Sequence, residues 1–164
     1  MGIYLNPENV DFQEVLNSKI YVDKSELIQY TNSVLRTTQK YICVSRPRRF
    51  GKSMAANMLT AYYSRGCDSR RLFQGLKIAT HPDFEKHLNQ YNVIHLNMQN
   101  FLSKTQTIEQ MIALVTKAVG RDLLRAYPDV DYLDKTILTF MLDDIYQDCQ
   151  VPFIFIIDEW DCIF

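Results

Sequence analysis

The chain has 164 residues, 47% of them apolar and 23% charged, with only 5 Gly and 5 Pro, a composition that excludes disordered, collagen-like and linker-rich architectures. Its 18 Lys and Arg against 19 Asp and Glu leave a formal charge of −1, which excludes a whole-molecule electrostatic grip on nucleic acid or an anionic membrane and leaves room only for a local basic patch. A domain of this length buries roughly 70% of the surface its unfolded chain exposes, so a sizeable core is expected.

The opening MGIYLNPENVDF has neither a basic start nor a long apolar run, and no segment approaches the ~18 apolar residues of a membrane span, which predicts a cytoplasmic protein. Residues 23–37 predict a helix: Asp23 serves as N-cap with Glu26 three positions on, and Leu27, Ile28, Val34 and Leu35 share one face. Residues 41–45 (YICVS) predict a short buried strand. A second helix is expected over 52–64, closed by Arg65 and Gly66, with Met54 and Met58, and Tyr62 and Tyr63, packed against a sheet. A short helix around 82–88 leads to a strand at 93–96 (VIHL). Residues 107–127 predict a long helix, with Thr107 and Gln110 as a capping box, Ile108, Met111, Ile112, Val115, Val119 and Leu123 as the apolar stripe, and Pro128 as the stop. Residues 131–148 predict another, carrying Leu133, Ile137, Met141 and Ile145 inward. Residues 153–157 (FIFII) form a continuous apolar strand of the kind that parallel sheets bury on both faces. The alternation of short apolar runs with longer periodic ones predicts an α/β fold.

Cys43, Cys67, Cys149 and Cys162 lack the short paired spacings of a zinc or dithiol site and read as buried or free thiols. His81, His87 and His95 have no carboxylate or cysteine at ligand spacing and read as structural or surface residues.

In open α/β sheets, ligands bind beyond the carboxyl ends of strands, so the residues after Ser45 and after Ile157 are the places to search. The first of these runs through Arg46, Pro47, Arg48, Arg49 and Phe50 to Gly51-Lys52-Ser53, the ending of a phosphate-binding loop between a strand and a helix. Gly51 lets backbone approach a phosphate, and the N–H groups from Phe50 to Met54 point at an anion from a helix N-terminus. Lys52 would supply positive charge to the β- and γ-phosphates of a nucleotide, and the Ser53 hydroxyl would ligate Mg²⁺. Arg46 stands where the general G-x-x-x-x-G-K-S pattern has Gly, and Pro47 pushes it toward an extended conformation, so this loop begins its turn differently. At the second place, the strand delivers Asp158 and Glu159: Asp158 to hold Mg²⁺ through its bound water, Glu159 to orient or deprotonate the attacking water. Arg46, Arg48 and Arg49 are candidates for phosphate oxygens or for reaching a neighbouring subunit, the alternative being a partly solvated cluster. The alternatives are a tight basic turn after the first strand and a plain solvent-facing end to the last. Asp161 either extends the acidic cluster or caps a following helix.

Tyr21-Val22-Asp23-Lys24-Ser25, the run from Ser45 to Ser53, Leu72-Phe73-Gln74-Gly75-Leu76 and Ile157-Asp158-Glu159-Trp160-Asp161 resemble the bacterial AAA-ATPase-like family of P-loop proteins, and the resemblance covers most of the chain. Within that family the missing first Gly is normal. The resemblance implies an ATP-binding P-loop domain over residues 1–164: a three-layer sandwich with a mainly parallel sheet, followed in many relatives by a nuclease-like domain. It also offers Asp23 and Lys24 a place near the adenine, the alternative being Asp23 as a plain helix cap. In P-loop ATPases with a glutamate beside the magnesium aspartate, a later strand lies between the loop strand and the aspartate strand. The expectation is therefore an incomplete sheet without that strand, its polar sensor or an arginine finger, in a fragment, a truncated frame or a chain completed by a partner. Two other expectations stand beside it. One is a non-enzymatic nucleic-acid or partner-binding module that uses Arg46, Arg48 and Arg49; the other is a vestigial remnant.

Overall fold

The computed structural model describes residues 2–45 and 50–163. The chain divides into two compact units, Glu8–Gln90, and Met1–Pro7 with Tyr91–Phe164.

The Glu8–Gln90 unit carries α1 (Val10–Leu16), α2 (Glu26–Val34), α3 (Lys52–Tyr63), α4 (Arg70–Phe73) and α5 (Phe84–His87), with a 3-10 turn at Lys77–Thr80. Its core is aromatic: Phe12 stacks on Phe73 at 5.1 Å, and Tyr62 meets Phe73 edge-on at 5.6 Å and Phe84 at 5.7 Å. Burying tyrosine requires partners for its hydroxyl. The Tyr62 hydroxyl donates to the Phe84 carbonyl (2.7 Å) and accepts from Asn32 Nδ2 (3.1 Å), while the Tyr63 hydroxyl donates to Asn32 Oδ1 (2.7 Å). The core role expected of Tyr62, Tyr63 and Met58 holds, whereas Met54 is 37% exposed.

The predicted helix over 23–37 is real but shorter. Ser25 is the N-cap residue of α2, because the Asp23 carboxylate accepts from the Ser25 N–H (2.8 Å) and the Lys77 N–H (2.8 Å), and Glu26 pairs with Lys77 rather than closing a capping box. Residues 41–45 form no strand: they are irregular, with Tyr41 85% and Val44 46% exposed. A short apolar run becomes a buried strand only where neighbouring backbone takes up its N–H and C=O groups, and no strand among the described residues does so. The unpredicted α1 buries only Phe12, too little to show a periodicity.

The other unit holds β1 (Asn92–Asn97), α6 (Met98–Leu102), α7 (Ile108–Ala126), α8 (Leu138–Cys149) and β2 (Phe153–Asp158), then a 3-10 turn at Trp160–Ile163. β1 and β2 pair in parallel from Asn92↔Phe153 to Asn97↔Asp158, as the alternation of elements predicted. Along the other edge of β1, the N-terminal segment runs antiparallel: Asn6 N donates to Val93 O (2.7 Å) and His95 N to Tyr4 O (2.9 Å). The Asp122 carboxylate on α7 fastens that segment by accepting from the N–H groups of Tyr4 (2.7 Å) and Leu5 (3.4 Å).

The core of this unit joins Leu5, Ile94, Leu96, Phe101, Met111, Val119, Leu123, Met141 and Ile145. Each fully buried large side chain contributes about 1.5–3 kcal/mol of transfer free energy. The expected N-cap holds: Thr107 Oγ1 accepts from Gln110 N (3.2 Å), while the Gln110 amide oxygen reaches back to Gln106 N (2.9 Å) rather than to Thr107. Ile108 and Ile112 are 49% and 57% exposed, so the buried line of α7 runs from Met111 through Val119 and Leu123. The helix predicted from 131 starts only at Leu138. Asp134 Oδ1 accepts from the N–H and hydroxyl of Thr136 and makes a turn that leaves Leu133 (75%) and Ile137 (42%) exposed. Met141 and Ile145 are buried as expected. β2 is half-open on the face it shares with Ile94 and Leu96, where Phe155 and Ile157 are each 48% exposed.

Candidate functional site

Gly51-Lys52-Ser53 sits where the sequence expects it relative to its helix, and there the backbone conformation is specific. Gly51 is the N-cap residue of the 12-residue α3 at φ +76°, a left-handed conformation that costs other residues roughly 1–2 kcal/mol. Having no side chain, Gly51 cannot cap the first-turn N–H groups, and no acidic residue lies in that turn. Those donors and the helix dipole therefore favour an anion. Lys52 is partly buried and Ser53 exposed, while Phe50 (59%) and Met54 (37%) stand open to solvent. Arg46, Pro47, Arg48 and Arg49, including the candidate phosphate ligands Arg48 and Arg49, lie outside the described residues.

Two contacts that the sequence reading missed hold this helix. At its start, Lys24 Nζ donates to the Phe50 carbonyl at 2.8 Å. At its end, Asn89 Nδ2 donates to the carbonyls of Ala61 (3.2 Å) and Ser64 (2.6 Å), and Asn89 N donates to Tyr62 O (2.7 Å). The signal for Lys24 was present in the YVDKS run, but its partner, the Phe50 carbonyl, lies 26 positions away and nothing local announces it. Asn89 adopts φ +56°, which Asn tolerates better than most residues, and nothing local announces its partners.

Asp158 and Glu159 belong to the other unit, at the carboxyl end of β2. Asp158 is 7% exposed, its Oδ1 accepts from the Glu159 N–H (3.0 Å), and no cationic side chain among the described residues pairs with it. An ionised carboxylate so placed is costly unless a cation or further donors reach it. Glu159 adopts φ +53°, a left-handed conformation unfavourable for a residue with a side chain and of the sort that collects at functional sites. Asp161 lies in the following 3-10 turn.

Asp158 fits a divalent cation as a charged oxygen ligand, and Ser53 fits as a hydroxyl ligand. Among the described residues no three His, Cys, Asp or Glu side chains gather as a metal-ligand group. Mg²⁺ at a phosphate site takes one or two protein ligands and draws the rest from phosphate and water. Cys43, Cys67, Cys149 and Cys162 are free thiols. No helix among the described residues is long and apolar enough to cross a membrane.

The family described as Predicted AAA-ATPase (AAA-ATPase-like) matches residues 10–164. No curated protein and no solved structure matches the chain.

Proposed function

Because the chain belongs to the Predicted AAA-ATPase family, we propose that it is a P-loop domain that binds ATP with Mg²⁺ and serves an ATPase. The N–H groups from Phe50 to Met54, with Arg48 and Arg49, receive the polyphosphate, and Lys52 places its ammonium on the β- and γ-phosphate oxygens. Ser53 and Asp158 are the protein ligands of Mg²⁺, which when bound neutralises charge on the β- and γ-phosphates. Glu159 orients a water for in-line attack and accepts its proton. The observation that carries this reading is Gly51 in the left-handed conformation at the head of α3, where no side chain among the described residues caps the N–H groups beside Lys52 and Ser53.

Calorimetric titration of MgATP into the full chain tests it. The wild type binds, Lys52→Ala abolishes binding, Asp158→Asn removes the Mg²⁺ dependence, and Glu159→Gln keeps binding while removing any turnover. Equal ATP affinity in the wild type and the Lys52→Ala variant, or no binding by a folded wild type, rejects the proposal.

A further inference from the structure

Lys24 is held in a way its neighbours explain. The Asp23 carboxylate accepts from the N–H groups of Ser25 and Lys77, both at 2.8 Å, and the fully buried Ser25 accepts through Oγ from the Ile78 N–H (3.1 Å). The backbone on either side of Lys24 is therefore tied to the 3-10 turn Lys77–Thr80 within the same unit. Burial works against the charge of Asp23, but hydrogen bonds from Lys77 and Ser25 outweigh it and hold the carboxyl below its ordinary pKa. From this base the Lys24 side chain crosses to the loop, where Nζ meets the Phe50 carbonyl at 2.8 Å and stands 3.0 Å from the position a Cβ on Gly51 would take.

A trans peptide points its C=O and its N–H in opposite directions. No peptide bond among the described residues is cis, so a cation that holds the Phe50 carbonyl turns the Gly51 N–H to the far side of the same plane. We propose that Lys24 is a positioning residue of the nucleotide site: through the Phe50 carbonyl it aims the Gly51 N–H at the polyphosphate and keeps a repelling carbonyl oxygen away from it. This rests on the nucleotide-binding reading above and assigns Lys24 to the phosphate end of the ligand rather than to the base. Asp23 and Ser25 act one step further back, by fixing the origin of the lysine. The left-handed Gly51 suits the arrangement, since a side chain there would press on the ammonium.

The test compares wild type, Lys24→Met, Lys24→Arg and Lys52→Ala as full chains, titrating each by calorimetry with MgATP and with magnesium tripolyphosphate, which has no base or sugar. Thermal melting is recorded alongside. Lys24→Met weakens both ligands by the same factor, about 10-fold for one lost charged hydrogen bond. Lys24→Arg, which can still donate to the carbonyl, stays within about 3-fold of wild type. Tripolyphosphate binding by Lys24→Met at wild-type strength overturns the proposal, and so does an arginine variant as weak as the methionine one. If Lys24→Met melts well below wild type, Lys24→Leu, which also has no donor, replaces it under the same expectations. Undiminished binding by Lys52→Ala removes the nucleotide reading itself. Loss in Lys52→Ala with none in Lys24→Met removes only the assignment of Lys24.

Discussion

Replacing Gly51 by Ala changes one hydrogen to a methyl group, and the structure fixes what that costs. At φ +76° the left-handed conformation penalises an L-residue by roughly 1–2 kcal/mol. The added Cβ falls 3.0 Å from Lys24 Nζ, the far end of a flexible chain, so the ammonium moves and the backbone does not. Its bond to the Phe50 carbonyl is exposed, and losing it costs about 0.5 kcal/mol more. The sum, about 2 kcal/mol, lowers the melting temperature by about 4–8 °C for a chain of this size. Gly75→Ala is the control: nothing lies within 4 Å of its Cβ position and its φ is not left-handed, so the same chemical change leaves the melting point unchanged or slightly raised. Gly51→Asn falls between the two, because Asn tolerates the left-handed region. Thermal unfolding followed by circular dichroism at fixed pH and concentration reads all three. If Gly51→Ala melts within about 1 °C of Gly75→Ala, the turn into α3 does not need glycine and the reasoning about the loop fails.

Asp122→Ala removes a buried carboxylate that accepts from the Tyr4 and Leu5 N–H groups, so it is expected to lower unfolding free energy by about 2–4 kcal/mol in urea titration; a change under about 0.5 kcal/mol contradicts the anchoring role. Thr60 Oγ1 is buried without a hydrogen-bond partner among the described residues, and Thr60→Val is expected to raise stability by about 1 kcal/mol in the same assay. The depressed pKa of Asp23 makes its contribution fully present above the ordinary carboxylate value of about 3.9 and lost as pH falls through its lower folded value. Asp23→Asn therefore loses stability relative to wild type at neutral pH and converges on it in acid, which melting curves across pH 2–7 (on the order of the carboxylate titration range) will show. His87 runs in the same direction at higher pH: burial, then the charge of Lys86, lower its pKa, so wild-type stability declines as pH drops below about 6.5, and His87→Gln flattens that limb.

Much of the framework was legible because its causes are local. Thr107 caps α7 through Gln110, three residues away, and the apolar runs that become β1 and β2 are readable as strands from their own composition. Gly51-Lys52-Ser53 announces a helix start by residue type alone. The misjudged elements share a different cause. Leu133 and Ile137 fit a helical period, but the Asp134–Thr136 turn competes for the same backbone and wins. Ile108 and Ile112 fit the stripe of α7 but stay about half exposed among the described residues.

The amino-acid order alone determined the helix heads, the apolar periods and the residue types able to take phosphate and metal, since each depends on chemistry within about one helical turn. Tertiary structure alone decided that residues 41–45 stay exposed, that Lys24 reaches the Phe50 carbonyl 26 positions away, and that Asp158 is buried with no cationic side chain among the described residues paired to it. Strand pairing, side-chain reach and burial depend on which distant parts of the chain arrive at the same place, and one-dimensional spacing does not encode that arrival.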